Sequence, residues 1–468
     1  MNLPDSFLQS MKDLMGDEAD ELFASIDKKS VSGLRINTSK ISCEDFERKA
    51  PYYVEKIPFL SDGYYINDSD AWSRHPFYFA GLYYLQEPSA MLPVNTLGVD
   101  SSDRVLDLCA APGGKSCAIA AKKPAVLISN DISPSRAIPL VFNLEHTGTY
   151  DHAVTVEDPA ILAGHYEGMF DKIFVDAPCS GEGMFRRDAN LIRSYIQRGP
   201  SYYRPIQTSI LENAYRMLAG NGQILYSTCT YSDIEDEQVV IDFLAKHPDM
   251  HIIPIEKSHG LSPVYEKYRT NDEITGCVHA FCHRFRGEGH FMALIKKDAL
   301  PSPKKDIGFF PEGLMGYYNI PKGAKDLCSH ISQEFATVMK NSAFLIRNDT
   351  LYMISEGTKP FYDKNIRFAR TGLSLGRMNR AGKFTPGCAL ALALKIEEFD
   401  NVLDFRSDDP GIIKYLKGET LVCGSSDAGG AKPEKGYVLI CADSYPLGFA
   451  AFDGVRYRNL YEKGWRYI

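Results

Sequence analysis

Val105-Leu-Asp-Leu-Cys-Ala-Ala-Pro-Gly-Gly-Lys-Ser116 reads as an apolar strand, a Pro-Gly-Gly turn and the start of a helix that continues to Ala121. Glycines at 113 and 114 let backbone approach a ligand closely, and the helix N-terminus offers free N–H donors. The spacing is neither the dinucleotide G-x-G-x-x-G nor the phosphate-loop G-x-x-x-x-G-K-S/T. Alone, the turn equally suits a tight connection with no ligand. Outward from it, short β-rich runs alternate with helical ones. Strands are expected at Val105–Leu108, Val126–Asp131, Ala153–Asp158, Lys172–Asp176 and Gln223–Thr228, with helices such as Ser116–Ala121 and Pro134–His146 between them. That alternation predicts an α/β fold with a doubly wound, mostly parallel sheet, closed by a strand His290–Ile295. Ligands of such sheets bind at the carboxyl ends of the strands.

The strand ends carry matching chemistry. Asp131 ends the second strand, where an acid accepts hydrogen bonds from ribose hydroxyls. Glu157-Asp158 ends the third, suited to an adenine amine. The fourth runs into Asp176-Ala-Pro-Cys179 and the fifth into Ser227-Thr-Cys229. Cysteine is usually a small core hydrophobe, a reading that suits Cys43, Cys328, Cys388, Cys423 and Cys441. Cys179 and Cys229 instead follow strand ends beside polar residues, where a thiol can be exposed and its pKa lowered. A thiol has a use here. Carbon 5 of cytosine accepts a methyl group only after a thiolate adds to carbon 6 and makes the ring an enamine, which is covalent catalysis. A carboxyl near N3, a role for Asp176, would stabilise the charge that builds on the ring. Methylation of an exocyclic amine needs no thiol, and the Ala-Pro-Cys turn argues against it.

At 468 residues the chain is long enough for two to four domains. Eleven scattered cysteines, an odd number, suggest no disulfide framework and point to a reducing cytosol. The first thirty residues are amphipathic rather than a secretory signal, and no apolar run reaches membrane-spanning length. We therefore expect a cytoplasmic protein. Net charge is −8, yet residues 299–468 hold 23 Lys and Arg against 19 Asp and Glu, leaving 29 against 41 on the rest. A basic C-terminal part on an acidic body points weakly to a polyanionic partner held at one end. Composition divides the chain into an N-terminal α-rich region 1–95, a catalytic domain 96–298, a linker 299–330, a small α+β module 331–395 and a β-rich module 396–468. In the last, Tyr437–Ala442 and Leu447–Phe452 are expected strands around Asp443-Ser-Tyr-Pro446.

Cys109-Ala-Ala-Pro-Gly-Gly-Lys115, Asp176-Ala-Pro-Cys-Ser-Gly-Glu-Gly183 and Ser227-Thr-Cys-Thr230 together resemble the Sun-type RNA 5-methylcytosine methyltransferases. Met184-Phe-Arg186 and Gly287-Glu-Gly-His-Phe291 are similar to the RsmF/YebU-like branch, which modifies 16S ribosomal RNA. Leu34-Arg-Ile-Asn-Thr38 and Tyr84-Leu-Gln-Glu-Pro-Ser89 resemble the family's N-terminal segments. The resemblance implies a Rossmann-like class I methyltransferase core, S-adenosylmethionine as cofactor and small-subunit ribosomal RNA near the decoding region as substrate. It also implies Cys229 as nucleophile and Cys179 as the thiol assisting product release. Cofactor contacts would come from Cys109, Ala110, Ala111, Pro112, Gly113, Gly114 and Lys115, with Asp131, Asp158 and Asp176. A PUA-like end module and a monomer are expected as well. Ser116 stands where the family commonly has Thr, and Glu462-Lys-Gly-Trp465 departs from its usual Pro-Lys-Gly-Leu.

Between Lys364 and Lys383 lie six basic residues and no acid: Lys364, Arg367, Arg370, Arg377, Arg380 and Lys383. A solvated face is the ordinary meaning of such a run, but the missing acids make it a candidate phosphate-contacting surface. Arg186, Arg187 and Arg193, just after the Pro-Cys turn, are candidates for guiding the target nucleotide. Cys277-Val-His-Ala-Phe-Cys-His283 offers four metal-ligand types in one crowded run, without the two separated pairs of a structural zinc site, so no metal is expected. The alternative to an enzyme is an RNA-binding or ribosome-assembly factor on the same fold. The intact set of Cys229, Cys179, Asp176 and Lys115 argues for the enzyme.

Overall fold

A computed structural model describes residues 2–298, 313–422 and 433–467. The first part of the expected linker, residues 299–312, and Cys423 lie outside the described residues. Seven strands of the central sheet carry labels here: β1 Arg104–Asp107, β2 Val126–Asn130, β3 His152–Thr155, β4 Phe170–Asp176, β5 Leu218–Thr228, β6 His290–Lys297 and β7 Phe368–Arg370. The ten-stranded sheet runs 261–263, 278–280, β6, β5, β4, β1, β2, β3, β7, and Met250–Ile253 also pairs with β6. Pairs β3–β2, β2–β1, β1–β4 and β4–β5 are parallel, whereas β6 returns antiparallel beside β5. Burial on both faces explains the unbroken apolar runs: Val105, Leu106, Ile128, Ile173, Phe174, Val175, Ile224 and Leu225 are all fully buried. Helices α1 Gly114–Ala121, α2 Pro134–Thr147, α3 Pro159–His165, α4 Ala189–Met217 and α5 Glu237–Lys246 connect or follow the parallel strands. Strand order reverses between β1 and β4, and the crevice over that point is where a ligand belongs.

Three features depart from the sequence reading. The N-terminal region adds to its helices a four-stranded antiparallel sheet of Ser32–Ile36, Glu55–Lys56, Gly63–Ile66 and Tyr83–Leu85. These strands, two to five residues long, are too short to display an alternation. Second, the expected linker is already structured at its end. Met315–Gly316 pairs with Ala343–Phe344, and the helix Lys322–Cys328 buries Ala324, Leu327 and Cys328. Third, the C-terminal part lends β7 to the central sheet, where Phe368 and Arg370 pair with Thr155 and Val154 of β3. The end module matches expectation. Gly436–Ala442 and Tyr445–Phe452 form a hairpin whose two turn residues, Asp443 and Ser444, have φ of 47° and 74°.

Candidate active site

The site is assembled at the carboxyl ends of β1, β2, β4 and β5. After β1 the chain turns through Gly113, whose φ of 114° suits glycine, and a Cβ there would stand 3.1 Å from Leu140. Two side chains of α2 fix the turn from outside: Arg136 donates to the Ala111 carbonyl at 2.9 Å and Asn143 to that of Pro112 at 2.8 Å. Ser116 Oγ donates to the buried Asp107 at 2.5 Å. Burial pushes Asp107 up to about 7, against that hydrogen bond.

Lys115, in the first turn of α1, reaches Asp176 at the end of β4 at 2.6 Å and His290 Nε2 at 3.4 Å. His290 in turn lies 3.7 Å from Asp176, and Ser227 Oγ donates to that carboxylate at 3.0 Å. Burial pushes the Asp176 carboxyl up, but the Lys115 charge and the His290 ring outweigh it and hold the group well below the usual carboxylate range. The site thus holds an ionised Asp176 clamped beside a lysine.

Beyond β4 and β5 the two thiols meet, Cys179 Sγ lying 3.4 Å from Cys229 Sγ. Its hydrogen bond to Cys229, together with burial, pushes the Cys179 thiol well up. Cys179 therefore gives up its proton reluctantly, and either sulfur can donate in the contact between them. The two loops are tied together beneath the pair. Gln207 of α4 donates to the Pro178 carbonyl at 2.9 Å and to Glu235 at 2.8 Å, and the Ser180 N–H donates to Glu235 at 3.0 Å. Ser180 and Thr230 share a hydroxyl contact at 2.8 Å, and the Gly183 N–H donates to the Cys229 carbonyl at 3.0 Å. Gly183 also packs against the turn preceding β6: a Cβ on it would fall 2.6 Å from the Gly289 Cα.

A cavity of about 590 Å³ opens over these groups. Cys109 and Ala111 of the turn, Asp131, Asp158, Asp176, Cys179 and Cys229 line it, and Ile206, Ile210 and Asn213 of α4 form one wall. Seven residues expected from sequence are thus brought together. Ala110 instead donates its N–H to the Asn130 carbonyl at 2.8 Å, while Pro112, Gly113 and Gly114 shape the turn without lining the cavity. The cavity suits S-adenosylmethionine: the turn residues Cys109 and Ala111 on one side, the Asp131 carboxylate at the end of β2 for ribose hydroxyls, and an acidic lining for a cationic ligand. Sequence reasoning missed His290, Ser227, Gln207 and Glu235. Two of them had a signal: His290 in the Gly287-Glu-Gly-His290 run that opens β6, and Ser227 in the Ser227-Thr-Cys229 strand end.

The arginines divide differently from expectation. Arg186 is a structural residue: its side chain is 5% exposed, pairs with Glu288 at 2.6 Å, and donates to the carbonyls of Gly287 and Ser25. Arg187 and Arg193 are exposed. Arg367 holds Glu157 through two side-chain contacts at 3.0 and 2.8 Å, and Arg370 pairs with Glu145 at 2.9 Å, so both dock the C-terminal part on the catalytic domain. Their acids lie far away in sequence, which is why the run looked uncompensated. Arg377, Arg380 and Lys383 are exposed on the hairpin of Leu373–Met378 and Phe384–Pro386. In the Cys/His run, His279 meets Glu237 at 2.8 Å and His283 meets Glu18 at 2.6 Å, so the two imidazoles do not converge.

Fold and site together define a class I S-adenosylmethionine-dependent methyltransferase. Residues 94–296 match the family of 16S rRNA methyltransferase RsmB/F. Residues 3–88 match the N-terminal domain of RsmF, 330–394 its first C-terminal domain and 402–467 its PUA domain. The chain is 30% identical to Ribosomal RNA small subunit methyltransferase F of Escherichia fergusonii, over 98% of this chain and 96% of that one. It is also 30% identical to the protein of that name from Erwinia tasmaniensis, again over 98% and 96%. The crystal structure of NSun6 from Pyrococcus horikoshii with SFG shares the fold, with a TM-score of 0.53 and 19% identity over 64% of this chain and 99% of that chain. The chain belongs to the RsmF family of 16S rRNA methyltransferases.

Proposed function

We propose that this chain methylates carbon 5 of a cytosine in 16S ribosomal RNA, with Cys229 as nucleophile. The observation that carries the reading is the thiol pair, Cys179 and Cys229, 3.4 Å apart past the ends of β4 and β5 on the wall of the cavity. Cys229 as thiolate adds to carbon 6, which moves electron density to carbon 5. Asp176, ionised beside Lys115 and His290, has no proton to offer N3, which corrects the role expected for it from sequence; it would instead accept a hydrogen bond from the cytosine amine. Lys115 brings positive charge to the ring edge where negative charge builds. S-adenosylmethionine, when bound, supplies the electrophilic methyl group, and Asp131, Asp158 and the turn residues Cys109 and Ala111 would hold it. Water then takes the proton from carbon 5, the electron pair of that bond expels the Cys229 sulfur as the carbon–sulfur bond breaks, and the Cys179 thiol, in contact with that sulfur, can protonate it. The exposed Arg187, Arg193, Arg377, Arg380 and Lys383 are the remaining candidates for phosphate contacts. We read the protein as a cytoplasmic monomer. Among the described residues no helix is long and apolar enough to cross a membrane.

Incubation with 16S RNA containing 5-azacytidine tests the assignment. Wild type is expected to form a covalent adduct that survives denaturing electrophoresis, and Cys229→Ala none. Cys179→Ala should form it too, and on RNA with ordinary cytosine should accumulate an adduct that wild type releases. An adduct kept by Cys229→Ala and lost by Cys179→Ala reverses the two roles.

A further inference from the structure

The cavity wall formed by α4 continues past the cavity. Ile206, Ile210 and Asn213 line it at helical spacing. One turn earlier on the same face stands Tyr202, 46% exposed. Ile206 is 36% and Ile196 69% exposed, and Ile132, which also lines the cavity, is 59% exposed. Of these, Ile132 and Ile206 border the cavity itself, and such uncovered apolar side chains contribute little to the core. The helix is interrupted just before this turn by Gly199, with φ 59° and ψ 178°, followed by Pro200. Tyr203 packs edge-on against Tyr202 at 5.1 Å, and the Arg198 guanidinium lies 5.1 Å from the Tyr202 ring. Arg193 and Arg198, on the helical segment before that break, are both exposed.

We infer that Tyr202, steadied by Tyr203 and flanked by Arg198, is a stacking platform for the base next to the target cytosine. The inference rests on the RNA methyltransferase reading and deepens it. A strand that places one base in the cavity must continue over its rim. There it meets an exposed aromatic face with arginines beside it, the combination by which proteins hold unpaired nucleic acid. The substrate cytosine is accordingly presented with an unpaired neighbour.

Steady-state methyl transfer to unmethylated 16S RNA and to a single-stranded, cytosine-containing oligoribonucleotide tests this. Base stacking on an aromatic residue corresponds to roughly 5- to 150-fold in affinity. Tyr202→Ala is therefore expected to raise KM for the RNA about tenfold, with kcat, thermal stability and S-adenosylmethionine affinity near wild type. Tyr202→Phe should restore KM, and 2-aminopurine beside the target should lose fluorescence on binding wild type but not Tyr202→Ala. An active wild type with KM unchanged in Tyr202→Ala overturns the platform, as does a Tyr202→Ala variant that loses cofactor affinity in parallel. A wild type that methylates neither RNA overturns the reading beneath it, and the platform with it.

Discussion

Around the thiol pair the chain buries carboxyl groups with few cations to answer them. Burial pushes Glu182 up to about 8 and Glu235 up to about 7, and Asp236 is raised well above its ordinary range by burial and the adjoining Glu237. Each carboxyl is neutral in the folded protein at a pH where the unfolded chain has already released the proton. Between the unfolded value of 4.5 and the folded value of about 8, the folded state therefore binds more protons at Glu182, and stability falls as pH rises. The thermal midpoint is expected to drop from pH 5 to pH 8. Glu182→Gln, which can still accept the Tyr231 N–H that now donates to Glu182 at 3.0 Å, should flatten that slope and raise the midpoint at pH 8. Scanning calorimetry across that range checks it, and an equal slope in the variant removes Glu182 as a cause. Cys229, Cys179 and Asp176 were legible in the sequence because each sits at a strand end, a position that local pattern reveals. Glu235 and Gln207 were not, since their roles come from partners 28 to 55 residues away. Nothing local marks such a pairing.

At the scale of elements, the central parallel strands were legible to within a few residues, because burial on both faces leaves long apolar runs. The edge strand β7 was not. Its three residues carry more charge than pattern, and their strand conformation depends on β3 rather than on themselves. Its flanking arginines looked like an RNA surface for the same reason. Arg370 is 20% exposed against a Glu145 that is 6% exposed, and it also donates to the Tyr352 hydroxyl at 2.9 Å. Burial pushes Glu145 up to about 7, and Arg370 opposes that. Removing the arginine strands a buried carboxylate, so Arg370→Ala at pH 8 is expected to cost about 3–5 kcal/mol. Arg367 is 66% exposed, so its pair with Glu157 is screened by solvent and Arg367→Ala should destabilise less than Arg370→Ala. Urea titration of both variants separates them. Unchanged stability in Arg370→Ala together with weakened RNA binding would return this arginine to the nucleic-acid surface.

For the whole molecule, the expected chain of separate modules is too simple, because the two ends of the chain share one core. Leu34, Phe46, Trp72 and Phe77 of the N-terminal region and Leu403, Ile412, Val438 and Leu447 of the end module belong to a single buried cluster. Phe77 meets Tyr445 at 5.8 Å, Phe79 meets Tyr467 at 5.8 Å, and Trp465 stacks on His146 of the catalytic domain at 4.8 Å. Composition divides a sequence where it changes, but contacts between the first hundred residues and the last seventy leave no mark on either segment. A PUA-like module attached by a tether could be removed with loss of RNA affinity alone. Here its removal uncovers the apolar face of the N-terminal region, and exposed apolar area of that extent favours aggregation. Truncation after residue 395 is therefore expected to yield insoluble or partly unfolded protein, and the full chain to unfold with the N-terminal region and end module in one transition. Solubility, calorimetry and limited proteolysis of the two forms decide the matter. A soluble truncated chain that keeps the full chain's thermal midpoint and S-adenosylmethionine affinity would show that the ends fold independently and that the shared core contributes little.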